Sequence, residues 1–452
     1  MSDARQLSSF ERLLSVVTKV EPGEGRCIAI LCLQAFLLMV AYYLIRPVRE
    51  ALILTEGDAE LRSYAVGVQA LLLILIIPVY GLLVRRISPD RVFQRVNAFF
   101  ALNLVVFFLL GQAGLKFGFV FFVWCSLFAV MTVTQFWAFA TDLFSVKCGQ
   151  RLFSVIAVGV SAGALTGSRL ASAGFNSIGA HGLMLASAAV LAATIYISDW
   201  ARRSVPAASR STLKHDEHPA GRVGRLLGGF AVIGRSRYLV GIAALVMLLN
   251  WITSTGDYVL ANWLVDVARE QAPQAQAAFI GRFMGNYGSA IALVGLLVQL
   301  LLVSRIILLA GLARALMVTP IAFLAGFLLI GVVPVFALLQ SVLVLQKSLD
   351  YSLLNTTRSA LLLPASREEK YQAKTAIDTF FYRSGDLLST FSIFIGVRLF
   401  ADARLHFVWL IVVLSATMML VAWLIGREYS RRYGALRESS GCDALPGAVL
   451  TQ

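Results

Sequence analysis

The sequence predicts an all-α integral membrane protein of about twelve transmembrane helices. Three observations carry this. Of its 452 residues, 58% are hydrophobic and only 14% charged, with a mean hydropathy of +0.78, whereas a soluble domain carries about 25% charged residues. A spanning helix consumes about 20 apolar residues, and the chain holds twelve apolar runs of that order. None of the runs shows the sustained period-2 alternation of a membrane β-barrel strand.

Residues 1–26 come first. Phe10, Leu13, Leu14 and Val17 recur at i, i+3, i+4 and i+7, so this segment is expected to lie along the membrane surface as a cytoplasmic amphipathic piece. The first apolar run is too long for the h-region of a secretory signal. The runs then follow at 27–53, 63–84, 96–114, 117–143, 153–173, 181–198, 239–265, 283–304, 312–332, 334–357, 372–400 and 404–426. Between the sixth and seventh lies 201–237, rich in Arg, Ser, Pro and His. The expected organisation is an N-terminal six-helix half (27–200), a central loop (201–237), a C-terminal six-helix half (238–426) and a tail (427–452). That is the 6+6 layout of two-halved transporters.

Charge sets the orientation. With the N-terminus inside, 28 of the 39 Lys and Arg fall on the cytoplasmic side and 9 outside, with Lys347 and Arg383 within spans. This bias predicts both termini and the central loop in the cytoplasm. The formal charge of +14 thus marks cytoplasmic loops, and no nucleic-acid partner is expected. The five cysteines (Cys27, Cys32, Cys125, Cys148, Cys442) are scattered without metal-ligand spacing. His215-Asp216-Glu217-His218 is read as solvated loop, so neither a metal nor a cofactor is expected. The chain has no G-x-x-x-x-G-K-[ST] and no G-x-S-x-G. No ATPase engine and no catalytic residues are therefore indicated.

Ionisable groups inside a bilayer cost roughly 2.5–3.5 kcal/mol each on insertion scales, so they mark the bundle interior and usually a pathway. The first run ends Arg46-Pro47-Val48-Arg49-Glu50. Pro47 favours a kink or break there, and Arg46, Arg49 and Glu50 become candidates for the solute path. The alternative is an interfacial anchor with snorkelling arginines. In the tenth run, Lys347, Tyr351, Asn355 and Arg358 are spaced as one helical face, with Asp350 placed to pair with Lys347. In the eleventh, Lys374, Asp378, Tyr382 and Asp386 step by four, and Arg383 precedes Asp386 by three. Asp142 and Asp257 are further path candidates. Asn250, Ser254, Asp257 and Tyr258 make a polar face that serves equally well for interhelical hydrogen bonding. Gly159, Gly163 and Gly167 form two G-x-x-x-G steps, and Gly281, Gly285 and Gly288 a similar set, both read as helix-packing surfaces.

Four ordered segments resemble the ADP/ATP translocase family of intracellular bacteria and plastids, nucleotide exchange transporters related to the major facilitator fold. Arg46-Pro47-Val48-Arg49-Glu50 is similar to the family's R-x-x-K-D. Phe136-Trp137-Ala138-Phe139-Ala140 with Arg151 resembles its F-W-x-F-A…R. Tyr351-Ser352, Asn355-Thr356-Thr357-Arg358 and Pro364 resemble its Y-S…D-P-T-K-E…P. Lys374-Thr375-Ala376-Ile377-Asp378 and Arg383-Ser384-Gly385 resemble its K-A-A-I-D…R-L-G. Asp386 stands where the exchangers commonly have Lys. The resemblance implies a major-facilitator-type fold and ATP/ADP exchange, with basic residues holding phosphates. The expectation is a secondary transporter, not an enzyme, moving a small anionic phosphorylated solute by alternating access in a bacterial inner membrane. The alternatives are another organic anion or an anionic lipid, with or without a proton, and a membrane interaction protein without transport.

Overall fold

The computed structural model describes residues 24–84, 89–143, 146–204, 222–362, 373–400 and 404–440. The surface segment expected over 1–26, the His215–His218 stretch and Lys370 lie wholly or almost wholly outside them. Every regular element among the described residues is helical. In chain order these are α1 (Gly25–Glu56), α2 (Ala59–Val84), α3 (Pro89–Gln112), α4 (Gly118–Leu143), α5 (Val146–Ser177), α6 (Gly179–Arg203), α7 (Arg222–Arg235) and α8 (Arg237–Gln271). There follow α9 (Gln276–Val298), which runs through a π turn (Gln299–Val303) into α10 (Ser304–Ala310), then α11 (Leu312–Val332). Next is α12 (Phe336–Leu349), joined by a π turn (Asp350–Leu354) to α13 (Asn355–Leu361). Last come a π turn (Ile377–Phe381) leading into α14 (Tyr382–Leu399), and α15 (Arg404–Ser440).

Ten of these helices, counting Gln276–Ala310 as one, are long and apolar enough to cross a membrane. The other two expected spans, 334–357 and 372–400, are also helical, and each is interrupted by a π turn within its charged stripe. Large apolar side chains such as Leu75, Leu300, Leu309 and Val332 stand more than half exposed, as lipid-facing positions require. Helix ends follow local chemistry. Asp58 accepts the Leu61 N–H at 3.0 Å as α2 begins, and the Glu56 carboxylate accepts the Phe117 and Gly118 N–H groups where α4 begins. A carboxylate there satisfies donors that the first helical turn leaves without partners. Gly311, at φ +76°, makes the turn between α10 and α11.

Two sequence expectations change. Helix α1 passes through Pro47 without a break. The central segment is not all loop, since α7 occupies its second half.

The chain forms two compact units: Met1–Gly57 with Tyr80–Pro219 and Val267–Ser289, and Asp58–Val79 with Ala220–Asp266 and Ala290–Gln452. In the first unit, α1 packs on α4, α5 and α6. Its contact with α5 is backbone-close along three glycines. A Cβ on Gly159 would stand 2.5 Å from the Cys32 carbonyl oxygen and one on Gly163 2.3 Å from that of Phe36. One on Gly167 would be 2.8 Å from the Tyr43 Cβ. In the second unit, α11 packs along α15 and against α12.

Candidate functional site

Each unit holds its own group of buried charges. In the first, Arg49 and Glu50 sit on the inward side of α1, with Glu50 only 5% exposed. Arg49 donates from Nε and Nη2 to Glu50 Oε1 at 3.2 and 3.1 Å, and from Nη1 to Ser126 Oγ of α4 at 3.2 Å. Its guanidinium lies 4.6 Å from the Phe122 ring centroid, a favourable cation–π position. Arg46 lies over the Tyr43 ring at 5.4 Å. Asp142 is the penultimate residue of α4, and its side chain lies outside the described ones.

In the second unit the charges are joined across helices, and α8 is the hub. Asp257 receives the Lys347 ammonium of α12, 2.8 Å from each carboxylate oxygen. Arg62 of α2 approaches the same carboxylate to 3.9 Å. One turn earlier on α8, Ser254 donates to Asp386 of α14, which also accepts from Arg383 at 3.2 Å. Asn250 donates to the Tyr382 carbonyl at 2.7 Å, and the Thr255 and Ser389 hydroxyls share a bond of 2.9 Å. This seam closes because Gly385 has no side chain: a Cβ there would stand 2.5 Å from the Met247 carbonyl oxygen. The face Asn250–Ser254–Asp257 therefore ties α14 and α12 to one helix. Tyr258 leaves that face and packs edge-to-face on Phe407 at 5.1 Å.

The two π turns decide which charges meet. Lys347 is 4% exposed and turned to α8, and its expected pairing with Asp350 gives way to Asp257. Tyr351, inside the turn, is 50% exposed, and Asn355 beyond it is exposed too. Arg358 pairs instead with Asp378 of the next π turn at 3.5 Å. Lys374 is exposed in the helical stretch 373–376. Single π turns inside helices occur frequently at functional sites. Neither the apolar runs nor the charge stripes mark Arg62 and Gln346. Arg62 stands just ahead of the second apolar run, and counting apolar residues leaves such a cation out by construction. Gln346 carries no charge to mark it. Among the described residues, no cluster of His, Cys, Asp and Glu suited to a metal ion occurs.

The solved structures that this helical membrane chain resembles place it in the major-facilitator fold. The nucleoside transporter NupG aligns with a TM-score of 0.61 at 13% identity, covering 90% of this chain and 99% of that one. An auto-inhibited peptide transporter of the POT family gives 0.63 at 13%, covering 90% and 97%. A bacterial homologue of the human lysosomal transporter Spinster, inward-facing and unoccupied, gives 0.60 at 13%, covering 92% and 99%. No curated protein sequence matches significantly. The model of the TLC ATP/ADP transporter family matches residues 116–429, and the chain belongs to that family. It is an integral membrane transporter and not an enzyme.

Proposed function

We propose that the protein exchanges nucleotides, ATP for ADP, across a bacterial inner membrane, with both termini and 201–237 in the cytoplasm. The observation that carries this reading is the family match over 116–429. Arg49 in the first unit, and Lys347 and Arg383 in the second, are the cations that each unit offers to a polyphosphate, with Arg46 as a further candidate in the first and Arg358 and Lys374 in the second. The carboxylates Glu50, Asp257, Asp378 and Asp386 hold Arg49, Lys347, Arg358 and Arg383 respectively when the solute is absent. The two chain-order halves, 27–200 and 238–426, are the alternating-access partners in this scheme. Liposomes loaded with ADP should take up labelled ATP by counterflow. Absence of both ATP uptake and ADP efflux overturns nucleotide exchange. A single cysteine placed within 210–220 should resist labelling from outside intact cells, and labelling there overturns the orientation.

One observation favours a second reading, in which another anion moves with a proton. Asp386 is a buried carboxylate where the family commonly has Lys, held by Arg383 and Ser254. A membrane-buried carboxylate is a usual proton carrier. Under this reading Asp386→Asn slows transport or uncouples it from proton movement. Under nucleotide exchange it tightens binding of the more highly charged nucleotide. Parallel ATP, ADP and proton fluxes in wild type and variant separate the two.

A further inference from the structure

Beside the residues that carry the Asp257 charge group, one position along both α8 and α12, lies a side chain whose polar atoms neither ion pairing nor packing accounts for. Gln346 is 2% exposed, and neither its amide nitrogen nor its amide oxygen has a hydrogen-bond partner among the described residues. Leaving a buried amide unsatisfied costs free energy comparable to a lost hydrogen bond, so such a group calls for an explanation. The amide lies against Gly256, the residue before Asp257: its oxygen is 3.8 Å from where a Gly256 Cβ would stand. Its chain neighbour Lys347 holds the Asp257 carboxylate from both oxygens. Arg62 comes to the same carboxylate from a third helix, at a distance that is charge contact and not a hydrogen bond. The two cationic side chains are 5% and 7% exposed, while Asp257 between them is 23% exposed. The carboxylate is thus the most accessible member of the three.

We infer that Arg62, Lys347 and the Gln346 amide form a phosphoryl-binding subsite, which the Asp257 carboxylate occupies when no solute is present. A carboxylate and a phosphoryl group each offer two anionic oxygens that can accept paired hydrogen bonds from a guanidinium, and either accepts from an ammonium. An arriving phosphoryl oxygen replaces Asp257 on Lys347, draws Arg62 from charge contact into hydrogen bonding, and accepts the Gln346 N–H. Release reverses the exchange, with Asp257 reclaiming its cations. The two cations thus keep an anionic partner at every stage, while the displaced Asp257 carboxylate, the most exposed of the three groups, turns to water. The inference rests on the reading of the solute as a phosphorylated anion. It adds Arg62 and Gln346 as binding residues and gives Asp257 the role of an internal competitor.

Two readouts keep this inference and the proposed function apart. Purified protein is titrated with inorganic pyrophosphate while its thermal midpoint is followed, and the same preparations are assayed for ATP/ADP counterflow. Pyrophosphate should raise the midpoint of wild type. Its half-saturating concentration should rise by about tenfold or more in Arg62→Gln and Lys347→Gln, less in Arg62→Lys, and fall in Asp257→Asn. Gln346→Leu provides the sharpest discrimination. It removes an unsatisfied amide, so the unliganded midpoint should rise while pyrophosphate affinity drops several-fold, a combination that a purely structural role does not give. Should Arg62→Gln fail to fold, Arg62→Lys and Gln346→Leu carry the test. No pyrophosphate response in wild type, or a response unchanged in Arg62→Lys and Gln346→Leu, overturns the subsite. A pyrophosphate response lost in these variants, without ATP counterflow in wild type, overturns nucleotide exchange and leaves the subsite standing.

Discussion

Helix α1 and helix α8 both keep charge inside a membrane, and they satisfy it differently. On α1 the Arg49 guanidinium finds its carboxylate on the very next residue and adds only Ser126 and the Phe122 ring from α4. Residues at i and i+1 do not ordinarily face each other on a helix, so the pair relies on a long side chain folding back. On α8 nothing is settled within the helix: Asp257 and Ser254 find partners on α2, α12 and α14. The first arrangement gives the α1 cation a carboxylate on its own helix. The second makes the charge balance of three helices depend on their staying together.

The largest effect should come from breaking the α8 group. Lys347→Met leaves Asp257 without its closest cation and should lower stability by about 3–5 kcal/mol, as loss of one partner of a buried pair does. The double variant Asp257→Leu/Lys347→Met should regain only part of that thermal stability, since Arg62 also loses the Asp257 carboxylate, and none of the transport. Recovery of transport in the double variant would mean that the pair serves only structure. Next comes Gly163→Ala on the α1–α5 contact. With the new Cβ 2.3 Å from the Phe36 carbonyl oxygen, the helices must part, at a cost of about 1–3 kcal/mol. An unshifted melting midpoint would show that α1 yields there freely. A smaller change is expected of Arg49→Lys, which keeps the charge but loses the planar fork and the ring stacking. The half-saturating solute concentration should rise a few-fold with stability nearly unchanged. Arg358→Ala should do least to stability, at most about 1 kcal/mol, because its partner Asp378 is more than a third exposed. A loss as large as that of Lys347→Met would erase the contrast between buried and open pairs.

Much of the fold was legible because apolar runs of spanning length need no tertiary information. The run 312–332 coincides with α11, and most others end within a few residues of their helices. The charge partners were less legible, and the π turns explain why. On a regular helix eleven residues return to within about 20° of the starting direction, so Lys347 and Arg358 read as one face. The π turn at Asp350–Leu354 adds roughly one surplus residue, which offsets the two ends by about 100°. Lys347 then meets α8 while Arg358 meets Asp378. Nothing in the residue types announces that turn. Partner choice on α8 was equally hidden, since Ser254 and Asp257 looked alike as packing or path residues until α12 and α14 were placed against them. Gly385 carried the one local hint, a residue without bulk beside a charged pair.

The aromatic contact of the central segment has a practical use. Phe230 of α7 meets Phe380 edge-to-face at 4.9 Å and Phe381 at 5.9 Å, and both rings belong to the π turn that carries Asp378. Any movement of that turn changes the surroundings of position 230, which lies outside the charged groups. Phe230→Trp would therefore act as an optical reporter, its emission read against the chain's seven native tryptophans. A spectral shift on adding unlabelled solute would time the response of Asp378 directly, in detergent or in vesicles, with no radioactive substrate. A spectrum indifferent to every solute that the protein carries would show that the turn stays still through the cycle.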